Sequence, residues 1–177
     1  MNRKLFLIRL MMMNGNQRAN YLKKIGYFHK QGEGCYFQPY NFGTEPYLIE
    51  FGDNVSVASG VRFVNHDIAS FVFNRVYCED LPTRVKPISV GSNVFIGCDS
   101  VILPGVHIGN NVIIGGGSVV SKDIADNTLA VGIPCKAIGT FEDYHKKYIQ
   151  ETSEYTWKQN SVDKAEKMIK FFWMNEE

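Results

Sequence analysis

Val90, Ile96, Ile102, Ile108, Ile114 and Val120 stand six residues apart without interruption. A helix repeats its apolar positions every three or four residues and a half-buried strand every two, so a step of six requires a short strand and a turn, repeated. The hexads VGSNVF, IGCDSV, ILPGVH, IGNNVI, IGGGSV and VSKDIA each open on an aliphatic residue that can point to an axis. Their fifth places, Val94, Ser100, Val106, Val112, Ser118 and Ile124, are small or β-branched and suit a narrow interior. Gly, Asn, Asp and Pro lie between, residues that accept positive φ or preset a turn, so sharp corners recur at little steric cost. The pattern predicts an all-β solenoid, a parallel β-helix, over residues 34–139.

The same pattern runs upstream as FGDNVS and VASGVR, with Phe51, Val57 and Phe63 in step. From Phe63 to Val90 the interval is not a multiple of six, so residues 64–87 are an insertion that resets the register. It carries His66, Asp67, Arg75, Glu79, Asp80 and Arg84 among Phe71, Phe73 and Tyr77, a mixture too apolar for a disordered linker. Long irregular segments inside compact domains are functional or disordered. The expectation is an ordered, functional, protruding loop.

The flanks differ in kind. Residues 1–33 form a helical cap, with QRANYLKKIGYFHK (residues 17–30) helical by the spacing of Tyr21, Leu22, Ile25 and Phe28. LFLIRLMMM is too short to span a bilayer and contains Arg9, so it is expected as a packed helix instead of a signal peptide or membrane span. Residues 140–177 form a tail with FEDYHKKYIQ and the amphipathic VDKAEKMIKFFWM, read as a cap or an oligomer contact because solenoids need protected ends. A formal net charge of +1, with no Lys/Arg run beyond two, argues against a nucleic-acid partner. Cys35, Cys78, Cys98 and Cys135 make no CxxC pair and fit a reduced, cytoplasmic protein better than a disulfide framework.

The stretch from Val90 to Ala137 with its flanks contains ILPGVxIG, then VIIGxGSVVxKDI, then AxGxPxKxI. It closely resembles the hexapeptide-repeat acyltransferases, most of all the galactoside and maltose O-acetyltransferases and the sugar O-acetyltransferases of capsule and exopolysaccharide clusters. The FVNHD that opens the insertion resembles the loop in which those enzymes carry a catalytic histidine. The resemblance implies a left-handed β-helix, a homotrimer with active sites between adjacent subunits, and acetyl-CoA as donor, its pantetheine arm running along the outside of the coils. It implies a small-molecule or glycan acceptor and no metal.

Within that resemblance His66 is the general base, since an imidazole can take the acceptor hydroxyl's proton and return one to the departing thiolate. Its second ring nitrogen needs an orienting acceptor, which Asp67, Glu79 or a backbone carbonyl could supply. Of the other histidines, His29 falls in the cap, His145 in the tail, and His107 at a sixth place that faces outward. Cofactor contacts fall on Cys98, on Gly115 and Gly116 of a three-glycine run that lets a ligand lie flat against the coil, on Ser121 and Lys122, and on Lys136. A turn that needs positive φ would also call for glycine here. Lys122 and Lys136 serve as point charges for CoA phosphates. Asn65, Asp67 and Arg75 are the candidates for acceptor contact. Phe95 stands where many relatives have Trp, so an indole N–H is lost there. Cys98 lacks the adjacent base that an acyl-enzyme would need.

Three other readings compete with this one. Transfer to an amino sugar needs the same base. A zinc enzyme on this scaffold requires three histidine ligands, and the coils supply only His107 beside His66. A purely structural solenoid leaves NHD in a long insertion unexplained.

Overall fold

The computed structural model describes residues 3–174. From Lys30 to Val131 the chain winds through three parallel sheets, each one face of a solenoid. The first face holds strands Lys30–Gln31, Ile49–Phe51, Ile88–Val90 and His107–Ile108. The second holds Tyr36–Phe37, Val55–Val57, Val94–Ile96, Val112–Ile114 and Thr128–Val131, and the third Arg62–Phe63, Val101–Ile102 and Val119–Val120. Ser89 pairs with His107, Val94 with Val112 and Val101 with Val119, so one full coil is three hexads.

Every first and fifth position of the six hexads is buried, none more than 6% exposed. Two of these are serines, and both are satisfied. The Ser100 and Ser118 hydroxyls donate to the Gly115 carbonyl at 3.2 and 2.6 Å, which removes the penalty of burying an unpaired hydroxyl.

The corner between the first and second faces is built on asparagine. Asn54, Asn93, Asn111 and Asn127 all have φ between 53 and 58°, the left-handed region that Asn tolerates better than other side chains. Their amides form a ladder along the solenoid: Asn54 donates to Asn93 at 3.0 Å, Asn93 to Asn111 at 2.9 Å and Asn111 to Asn127 at 2.9 Å. The ladder repeats with the coil because each member occupies the same corner.

The insertion leaves and re-enters at one corner, between the third and first faces. The Val64 N–H donates to the Ile102 carbonyl, and the Gly105 N–H to that of Pro87, so the coil beneath holds both feet. Its content is more regular than a loop. His66–Asp67 pairs antiparallel with Arg84–Val85, and a helix, Ser70–Tyr77, fills the tip.

The N-terminal end differs from the sequence reading. There are two helices, α1 (Arg3–Met11) and α2 (Gly15–Lys24), and α2 starts on a capping box in which Asn14 accepts from the Gln17 N–H and Gln17 from that of Asn14. It stops at Lys24, before the expected residue 30, because Gly26 turns with φ 61°. Phe28 matches helical spacing by coincidence and belongs instead to an aromatic core with Phe37, Phe42, Phe51 and Phe63. These rings pack mostly edge to face, for instance Phe28 against Phe51 at 4.9 Å between centroids. The coils therefore begin at Lys30, within the stretch read as cap, and Phe rings fill the first coils where Val and Ile fill the later ones.

Arg18 of α2 ties the cap to these coils. Only 6% exposed, it donates to the carbonyls of Leu10, Met13, Phe37 and Gln38. Burial pushes the guanidinium pKa down, and the carbonyl dipoles are what hold the charge there.

At the other end Thr128–Val131 pairs antiparallel with a return strand, Lys136–Thr140, which the hexad pattern does not announce. Counting the insertion helix Ser70–Tyr77 as α3, helix α4 (Phe141–Thr152) follows. The chain divides into two compact units, the first ending at Phe141 and the second beginning at Glu142. Within the second, Tyr155 and Trp157 stack at 4.3 Å and meet Phe171 and Phe172 of α5 (Lys164–Trp173). Among the described residues no helix is long and apolar enough to cross a membrane.

Candidate functional site

Phe42 and Phe63 stack at 5.7 Å in successive coils, and the chain continues from each into the corner between the third and first faces. This brings Thr44 and Glu45, from the first coil, against His66, from the insertion of the next. His66 Nδ1 lies 2.8 Å from Glu45 Oε2 and 3.4 Å from Thr44 Oγ1. The Glu45 side chain is 19% exposed and that of His66 33%. A carboxylate only accepts hydrogen bonds, so Nδ1 carries a proton, and in the neutral imidazole Nε2 keeps its lone pair. Nε2 has no partner among the described residues.

Burial alone would raise the Glu45 pKa. Hydrogen bonds from Thr44 and His66, with the His66 charge, outweigh it and hold the carboxyl below the ordinary value. Glu45 is therefore ionised at neutral pH. The orienting acceptor is this residue, and neither Asp67 nor Glu79 takes that place. Asp67 Oδ2 accepts from Arg84 Nε at 2.6 Å and Oδ1 from the Ala69 N–H at 3.1 Å, contacts that lock the hairpin. The Ala69 N–H, then Arg84, hold its pKa down.

The other sequence candidates divide among three places. Asn65, 2% exposed, donates to the Lys86 carbonyl at 3.1 Å and fastens the hairpin's two feet; its Oδ1 is buried without a partner among the described residues. Arg75 is exposed on α3. Ser121 and Lys122 follow strand Val119–Val120 and share the His66 corner, beneath Leu103–Gly105.

Cys98, Gly115 and Gly116 lie instead at the preceding corner, between the second and third faces, where the Gly117 N–H donates to the Cys98 carbonyl at 2.7 Å. Each glycine of the run has a separate physical reason. A Cβ on Gly115 would meet Val131 Cγ1 at 2.5 Å, and one on Gly116 would meet the Cys98 carbonyl and Sγ at 3.2 Å. Gly117 takes φ 69° over open space, the positive-φ turn. Lys136 opens the return strand opposite Val131, one strand beyond Gly115. Strand Val119–Val120 joins the two corners, so the candidates form a strip across the third face and its edges.

Residues 87–122 match the bacterial transferase hexapeptide (six repeats) family. The chain is 41% identical over 176 residues to the protein CapG of Staphylococcus aureus, covering 98% of both. It is 38% identical over 105 residues to the galactoside O-acetyltransferase of Escherichia coli (strain K12), covering 59% of this chain and 50% of that one, so it spans about half of that relative. A maltose O-acetyltransferase from Clostridium difficile 630 has a similar structure, with TM-score 0.53 and 27% identity over 77% of this chain and 83% of that one. A likeness that runs the whole length of CapG, on a scaffold whose hexads form the coils, leads to one conclusion: the chain belongs to the hexapeptide-repeat acyltransferases.

Proposed function

We propose that this enzyme transfers acetyl from acetyl-CoA to a sugar hydroxyl, directly within a ternary complex, with His66 as general base. The observation that carries the reading is the hydrogen bond from His66 Nδ1 to a half-buried, ionised Glu45. Nε2 takes the hydroxyl proton as the oxygen attacks the thioester carbonyl. The carbon–sulfur bond then breaks, and the imidazolium, stabilised by Glu45, returns the proton to the leaving thiolate. The E. coli and C. difficile relatives bear the names of sugar O-acetyltransferases, which supports the acceptor class.

For the donor, Cys98, Gly115, Gly116, Ser121, Lys122 and Lys136 offer a strip with two cations, neither ion-paired among the described residues. A phosphate-bearing ligand needs such charges. Arg75 and Asp67 border the acceptor side. The coils are read as left-handed, following the family, and the assembly as a homotrimer. Its support is the apolar exterior of α3, where Phe71, Val72, Phe73, Val76 and Tyr77 are all at least 45% exposed. A monomer by light scattering at assay concentration would remove the intersubunit site.

His66→Ala tests the central role. Turnover, followed as thiol release, should fall roughly 100 to 10,000-fold with circular dichroism unchanged. Retention of more than about a tenth of wild-type kcat, too small a loss for a general base, overturns the assignment.

A further inference from the structure

The segment that presents Thr44 and Glu45 to His66 has a second side. There a cavity of about 410 Å³, within the range of small-molecule sites, is lined by Phe6, Tyr27, Asn41, Thr44, Pro46 and Tyr47 among others. Phe6 comes from α1, Tyr27 from the turn after α2, and the rest from the first coil. The walls combine flat aromatic surface with a few fixed polar groups. Asn41 Oδ1 accepts from the Gly43 N–H at 3.1 Å, which orients the amide and leaves its NH₂ to donate. Tyr47 is 59% exposed, and its hydroxyl has no partner among the described residues. Thr44 belongs to both places, lining the cavity while standing 3.4 Å from His66 Nδ1. Among the described residues no Lys, Arg, Asp or Glu lines the cavity.

We infer that this cavity is the recognition subsite for the non-reacting part of the acceptor, and that it holds a neutral pyranose ring. A pyranose offers an apolar C–H face for Tyr47 and Phe6 and rim hydroxyls for Asn41 and Thr44. An alkyl chain would leave Asn41 unpaired, and a nucleotide would bring phosphates to a wall without cations. The inference rests on the O-acetyltransferase reading and adds to it where the sugar is gripped. It also makes the N-terminal helix part of the site.

Thiol-release assays with acetyl-CoA and a panel of methyl and 4-nitrophenyl pyranosides test it. Tyr47→Ala and Asn41→Ala should each raise acceptor KM by about tenfold or more, the loss of one good contact, with the acetyl-CoA KM and Tm unchanged. Tyr47→Phe, which keeps the ring, should fall between. Saturation-transfer NMR of the same pyranosides on His66→Ala protein should show binding, and on His66→Ala/Tyr47→Ala protein its loss. Turnover of a pyranoside by the wild type with unchanged acceptor KM in both variants overturns the subsite and spares the activity. Absence of turnover with every pyranoside overturns the sugar reading itself, and the subsite with it.

Discussion

Glu45 and His66 meet at 2.8 Å because they occupy the same corner of successive coils, one the plain turn of the first coil and the other the foot of the insertion. The contact is set by the winding of the solenoid, so the partner of His66, the proposed base, lies outside the loop that carries it. Glu45→Gln should keep the packing but offer Nδ1 an amide that can donate, favouring the wrong tautomer. The expected result is a kcat roughly 100-fold lower or worse, with the acetyl-CoA KM unchanged. Wild-type kcat in this variant would show that the pair has no part in proton transfer.

The same pair gives the fold an acid sensitivity. Glu45 has a folded-state pKa below its ordinary value, so its stabilisation is fully present above that ordinary value and lost as pH falls through the folded one. A plot of Tm against pH should drop on its acid side in the wild type. In Glu45→Gln that drop should be smaller, the Asp67 contribution remaining. Superimposable acid limbs would exclude the linkage.

Arg18 predicts a larger effect far from the chemistry. Its removal takes the guanidinium from four carbonyls, of which that of Leu10 keeps the Met13 N–H, and empties a buried volume between cap and coil. Arg18→Ala should cost about 3 kcal/mol or more by denaturant titration, since bonds to a charged group contribute about 1.5–3 kcal/mol each before compensation. Arg18→Lys should recover little of it, because an ammonium cannot span the fork.

Glycine substitutions should rank by what they strike. A Cβ on Gly97 would lie 2.4 Å from the Gly116 nitrogen, a backbone atom that cannot turn aside, whereas at Gly116 the nearest contacts are at 3.2 Å. Gly97→Ala should therefore lower Tm more than Gly116→Ala, with Gly117→Ala costing on the order of 1 kcal/mol for its positive φ. If Gly116→Ala instead raises the acetyl-CoA KM at unchanged Tm, the donor strip gains direct support.

How much of this could be read from the chain follows from what repeats. The hexads displayed the core because each coil reuses one register, and the lapse between Phe63 and Val90 showed that something other than coil lies between them. Glu45 escaped because it sits in CYFQPYNFGTEPYLIE, where rings replace the aliphatic period and no sixth-residue signal survives. The clue available was Phe42 and Phe63, whose separation equals that of Glu45 and His66, but only stacked rings reveal that they are neighbours. The helix in the insertion and the return strand after Val131 were invisible for a similar reason. Each is held by local pairing that the coil period does not encode. Phe28 misled in the opposite direction, fitting helical spacing while belonging to the coil core.

The reversal of direction after Val131 has a consequence for solubility. A parallel ladder that ended on Thr128–Val131 would offer its unpaired backbone as a template on which further strands could grow, the route by which open edges seed fibres. Lys136–Thr140 occupies that edge in the opposite sense, and it opens on the charged Lys136. On this face, another molecule meets an antiparallel strand opened by a charge instead of the parallel register of the coils.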